Sequence, residues 1–143
     1  MREIFPVPKK VDSDLPDKAA SFLQQALECL HAPSGAIMLC ASSVDAMLKE
    51  KNLKSGSLYS RIETAAKKNL ITEEMSAWAH DVRLDANDER HAEDNVPIPT
   101  VEDAKKCIEF TEALGKFLFV LPKMVERGRA AAKPKPAAQA SGK

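Results

Sequence analysis

Residues 80–91, HDVRLDANDERH, bring two histidines, two arginines and an asparagine together. On a helix turning about 100° per residue, with His80 at zero, Arg83 falls at about 300°, Asn87 at about 340°, Arg90 at about 280° and His91 at about 20°. These five polar groups share one face, with Leu84 beside them at about 40°. Asp81, Asp85, Asp88 and Glu89 form a second stripe, and Met75, Ala79, Val82 and Ala86 a third that faces a core.

Arginine offers a two-pronged donor, asparagine a neutral donor and acceptor, and histidine a proton carrier near neutral pH. Arg83, Asn87, Arg90 and His80 are therefore the candidate anion-binding set. For cleavage of RNA without a metal, the catalytic candidates are Arg83, Asn87 and His91. His91 would act as acid or base, and Arg83 would stabilise charge developing on phosphorus. The same residues also suit a structural task, in which Arg83 and Asn87 hydrogen-bond across a bundle or a dimer interface. His80, Asp81, Asp85, Asp88 and His91 include metal-ligand types, but no HExxH pattern is present and an acidic stripe is more often a solvated face. No metal site and no cofactor are expected.

The elements that would hold this face read as helices. Residues 1–12, MREIFPVPKKVD, contain two prolines and no periodic stripe, which describes an extended arm pinned by Ile4 and Phe5. A domain of residues 13–127 follows. Ser13 or Asp14 caps a first helix over about 16–31 with Pro16 in its first turn, and Ala32-Pro33-Ser34-Gly35 stops it. A second helix over about 34–51 carries a wide apolar stripe from Ile37 to Leu48. A polar break with Gly56 leads to a third helix over about 57–69, and Thr72 caps a fourth that contains Trp78 as a core residue. The stretch NVPIPT at 95–100 cannot be helical. Thr100 with Asp103 then restarts a helix whose stripe runs to Leu121, and Pro122 kinks or ends it. The fold expected is all-α, an up-and-down bundle of about five helices.

Hydrophobic residues make up 44% of the 143 and charged residues 29%, with 5% aromatic residues and 5 glycines, a composition that disfavours barrels, sandwiches and Gly-rich phosphate loops. The longest strongly apolar run, FLFVL at 117–121, is far short of a membrane span, and the first residues lack an apolar signal core. Cys29, Cys40 and Cys107 are odd in number and form no CxxC, which fits three small thiols in a reducing cytoplasm.

Net charge is zero but divided. Residues 123–143 hold six bases and one acid, whereas the rest of the chain holds 15 bases and 20 acids. Residues 128–143, GRAAAKPKPAAQASGK, are Ala, Pro and Lys without a large apolar side chain, so they are expected to form a disordered basic tail. The acidic body is no platform for a phosphate chain.

The succession DLPDKAASFLQQALECL, AIMLCASSVDAML, LYSRIETAAKKNLI, VRLDANDERHAE and PTVEDAKKCIEF followed by FLFVLP resembles the HEPN-related helical family known as domain of unknown function DUF4145. The likeness covers about residues 13–122. Arg83, Asn87 and His91 reproduce the family's pattern of Arg, three residues, Asn, three residues, His. Ala86 stands where relatives show glycine before the Asn, and Arg90 where they show a small residue before the His. Ala41 and Val44-Asp45 replace an Arg ahead of a Leu-Glu pair. HEPN ribonucleases also space their Arg and His more tightly. The resemblance implies a bundle that forms dimers with the motif near the seam, in relatives that accompany restriction and defence systems.

Three functions are compatible with these residues. The first is a non-catalytic interaction and dimerisation module, an accessory of a bacterial or phage defence system, with a homodimer and a further protein as partners. The second is a metal-independent ribonuclease whose composite site forms across a dimer. The third is binding of a small anionic ligand or nucleotide. Residues 73–103 hold ten acids against two arginines, a field that repels RNA and favours the first.

Overall fold

The computed structural model describes residues 11–82, 84 and 97–132. Among them the regular structure is helical throughout, with no strand: α1 Asp17–Leu27, α2 Pro33–Glu50, α3 Leu58–Lys67, α4 Glu73–Val82, α5 Val101–Gly115 and α6 Leu121–Ala132. A π-helical segment, Lys116–Val120, joins α5 to α6, so the last three pieces form one long rod. Four helices and this rod make the all-α bundle that the apolar stripes predict. Helices adjacent in sequence pack on one another, and α5 closes the bundle against α1 and α2.

Local chemistry sets most of the boundaries. Ser57 Oγ accepts from Ser60 N–H at 3.1 Å to open α3, and Thr72 Oγ1 accepts from Met75 N–H at 3.1 Å to open α4. At α5 the box is reciprocal: Asp103 N–H donates to Thr100 Oγ1 at 3.2 Å, and Thr100 N–H donates to Asp103 Oδ2 at 2.9 Å. Two asparagines end α2 and α3. Asn52 and Asn69 take φ of 66° and 64°, and the next residues donate back to the last turn, Leu53 N–H to Leu48 O and Leu70 N–H to Ala65 O, both at 2.9 Å. These are Schellman stops, with asparagine in the left-handed position that glycine usually fills.

Three boundaries differ from the sequence reading. Neither Ser13 nor Asp14 caps α1. Pro16 occupies the N-cap, and Asp12 instead closes the preceding turn by accepting from Asp14 N–H at 2.8 Å. The helix ends at Leu27 rather than near residue 31, and turns fill the interval to Pro33, the first residue of α2. Pro122 does not end the last helix. It lacks an N–H, and its ring crowds the carbonyl four residues earlier. The π segment lies directly before it, where Leu121 N–H bonds to Lys116 O, and the wider turn lets the helix continue. Helix then extends to Ala132, into the stretch that composition assigned to a tail. Each added residue of an existing helix contributes a bond without fresh nucleation, and Arg129-Ala130-Ala131-Ala132 are strong helix formers. Residues 133–143 and 1–10 lie outside the described residues.

Leu23, Ile37, Met47, Leu48, Ile62, Phe110, Leu114 and Leu118 are fully buried at the centre. Each such side chain contributes roughly 1.5–3 kcal/mol relative to exposure. Trp78 is half-buried and meets Phe110 edge-on, with ring centroids 5.4 Å apart at 87°, which joins α4 to α5. Gly115 permits a close approach of the rod to Leu15 and α2, since a Cβ there would stand 2.7 Å from Leu15 Cδ2 and 3.3 Å from Met47 Cε. No helix among the described residues is long and apolar enough to cross a membrane.

Candidate functional site

Arg83, Asn87, Arg90 and His91 lie outside the described residues, as do Asp85 and Asp88. The part of α4 that leads to them keeps its predicted phase: Met75, Ala79 and Val82 are buried, and His80 is exposed. Leu84, which a continued helix would set on the polar face, lies in a turn and is only 2% exposed.

His80 is held from two sides by α3. Its ring stacks on Tyr59, with centroids 4.7 Å apart and planes 14° from parallel, and its Nε2 lies 3.3 Å from Glu63 Oε2. Tyr59 and Glu63 are one helical turn apart, so a single face of α3 supplies both contacts. A shallow cleft between α3 and α4 continues from His80 past Ser76 and Ala77 to Lys67 and Glu73. A carboxylate accepting from Nε2 fixes the tautomer and supplies negative charge beside the ring. That charge disfavours an anion bound beside His80.

A second polar cluster is more deeply set. Arg61, 8% exposed, reaches from α3 to α2, where Nη2 donates to Asp45 Oδ1 at 2.7 Å and Nη1 donates to Leu53 O at 3.2 Å. Lys49 approaches the other carboxylate oxygen of Asp45 at 3.0 Å. Burial alone would raise the Asp45 carboxyl, but the hydrogen bonds from Lys49 and Arg61, with their charges, outweigh it and hold the group below the usual carboxylate range. The Arg61 Nε has no hydrogen-bond partner. Sequence reasoning had noted Asp45 and missed Arg61. The signal was available, because Leu58, Arg61, Ile62 and Ala65 fall on one apolar face of α3, where a charged residue requires a partner.

Two of the three thiols belong to the core. Cys40 and Cys107 are buried, and desolvation pushes each up to about 12. Cys107 Sγ donates to Val82 O at 3.2 Å, while Thr111 Oγ1 donates to Cys107 O at 2.7 Å. A nucleophilic cysteine needs its thiolate near neutral pH, which these two do not supply. Ser43 is also fully buried, donating its hydroxyl to Ala19 O at 2.8 Å and so tying α2 to α1.

Comparison with curated proteins and with solved structures finds no match. Comparison with protein families does, over residues 24–131, which takes in the last turn of α1, all of α2 to α5 and nearly all of α6. The chain therefore belongs to the family described as domain of unknown function DUF4145.

Proposed function

We propose that this chain is a non-catalytic, HEPN-like interaction module that self-associates and docks a further protein, as an accessory of a bacterial or phage defence system. One observation carries this reading. Of the large apolar side chains that the described residues leave exposed, all but Met38 belong to the α5–α6 rod or the residues just before it: Ile98, Val101, Leu121, Met124 and Val125. α6 buries none of its residues although it lies within the family domain. The helix forms as a continuation of the α5 rod, and the apolar side chains it leaves in solvent are a surface that a partner can cover. Its stripe of Leu121, Met124 and Val125 has the spacing of a helix that docks on another protein.

The acidic field over residues 73–103 and the Glu63 carboxylate beside His80 both favour a protein partner over RNA. Free cysteines at positions 29, 40 and 107 suit a reducing compartment such as the cytoplasm. The test is incubation of purified protein with RNA in EDTA. The module leaves RNA intact, whereas cleavage that is lost in a folded His91→Ala variant would assign the chain to the ribonucleases with a composite dimer site.

A further inference from the structure

The uncovered stripe of α6 begins where the N-terminal part of the chain meets the rod. On a helix turning about 100° per residue, Leu121, Met124, Val125, Gly128 and Ala132 fall within about 100° of one another. Gly128 leaves a notch in that face, since a Cβ there would meet nothing within 4 Å. Leu15 packs at Gly115, Val11 lines a groove of about 150 Å³ with Leu23, Lys116 and Val120, and Asp14 Oδ2 lies 3.5 Å from Arg127 Nη2 of α6. From Leu15 back to Val11 the chain therefore runs along the rod from α5 towards α6.

Residues 1–10, MREIFPVPKK, come immediately before Val11 and carry Ile4, Phe5 and Val7. Prolines at 6 and 8 favour an extended backbone, and ten extended residues reach about 30 Å. α6 is about 18 Å long at 1.5 Å per residue, so these residues are numerous enough to cross from Val120 to the stripe and lie along it.

We infer that residues 1–10 fold back as a strap over the apolar face of α6, with Ile4, Phe5 and Val7 against Leu121, Met124 and Val125, and that a docking partner must displace it. The inference rests on the interaction-module reading and gives its docking face a regulation. Tethering at Val11 holds the strap near α6 at an effective concentration on the order of millimolar, so a few apolar contacts suffice to close it. Pro6 and Pro8 restrict the undocked segment and lower the entropy it loses on closing. Charge works the other way. The strap has three bases and one acid (Arg2, Lys9, Lys10 and Glu3), and α6 has the same balance (Lys123, Arg127, Arg129 and Glu126). Like charge keeps the strap weak enough to yield, and it leaves a positive surplus that favours an acidic partner as the competitor.

The test reads the exposure of position 124 in the full chain. With Met124→Cys, a thiol reagent is expected to label position 124 about tenfold more slowly than in the same chain carrying Ile4→Ser, Phe5→Ser and Val7→Ser. Cys29, in the turn between α1 and α2, serves as the internal reference and is expected to label equally in both. Raising the salt concentration is expected to slow labelling at position 124 in the first protein and not in the second, because screening weakens the repulsion. Equal rates at position 124 in the two proteins overturn the strap, as does shielding that grows with protein concentration, which gives the face to a second copy. Either result, in a protein that leaves RNA intact, removes the strap alone. RNA cleavage lost in a folded His91→Ala variant removes the interaction-module reading and leaves the labelling difference standing.

Discussion

Arg61 Nη2 donates to Asp45 Oδ1 at 2.7 Å, and the two residues are not equally buried: the arginine side chain is 9% exposed and the aspartate 34%. This asymmetry sets the order of two substitutions. Asp45→Ala leaves a guanidinium inside the bundle with only Leu53 O to receive it, at a cost of about 3–5 kcal/mol. Arg61→Ala leaves a carboxylate that keeps both solvent and Lys49, along with one unpaired carbonyl, at a cost of about 1–3 kcal/mol. Urea denaturation of both variants is expected to find Asp45→Ala the less stable.

The same pair gives the fold an acid limit. The Asp45 carboxyl is held below its ordinary value in the folded chain, so the unfolded chain takes up its proton first as pH falls. The stabilisation is complete above the unfolded carboxylate value of about 4 and is lost as pH drops through the folded one. Melting temperature followed from pH 6 downwards is expected to fall less steeply in Asp45→Asn than in wild type.

Burial works in the opposite direction at the thiols. Cys40 and Cys107 are pushed up to about 12, so the unfolded chain ionises them first, from about pH 8.5. Their contribution is complete below that value and is lost as pH rises towards the folded one. A thiol reagent at pH 8 is expected to label Cys29, which is only partly buried, well before the other two. Equal rates at all three without denaturant would show that the core opens readily.

The architecture was legible because it rests on local rules. The Thr72 and Thr100 caps, the Ser57 start and the apolar stripes all belong to short stretches of sequence, and each is found where it was expected. What the sequence hid depends on relations between distant residues or between competing rules. Arg61 and Asp45 are sixteen positions apart, and each alone looks like a misplaced surface charge. Pro122 signals an end under helix rules, yet a π segment lets the chain pass it. At the candidate site, the extrapolated wheel treated residues 80–91 as one uninterrupted helix. Of residues 83–91 only Leu84 is described, buried in a turn where the wheel sets it on the polar face, and the stack of His80 on Tyr59 is a tertiary contact that spacing within one helix cannot reveal.

The stacked pair predicts a modest effect at His80. A ring half open to solvent, with an exposed carboxylate beside it, contributes about 0.5–1.5 kcal/mol through its aromatic contact. His80→Phe keeps the stack and loses the bond to Glu63, whereas His80→Ala loses both. Thermal unfolding at pH 7 is expected to place His80→Phe near wild type and His80→Ala below it. Equal losses in the two variants would assign the tie between α3 and α4 to the Glu63 interaction.

Asn69 ends α3 in a conformation that most residues avoid. At φ of 64° a Cβ is strained, and asparagine tolerates this better than other L-residues because its short side chain can hydrogen-bond locally. Asn69→Ala keeps the backbone bonds of the Schellman stop but takes on the full strain of the left-handed region, costing about 1–2 kcal/mol. Asn69→Gly removes the Cβ and is expected to be neutral or slightly stabilising, because the relief of strain offsets the added freedom of the unfolded chain. Measured together by chemical denaturation, Gly should equal or exceed Asn, and Ala should be lowest. If alanine matches glycine at this position, the left-handed turn does not limit the stability of the α3–α4 connection.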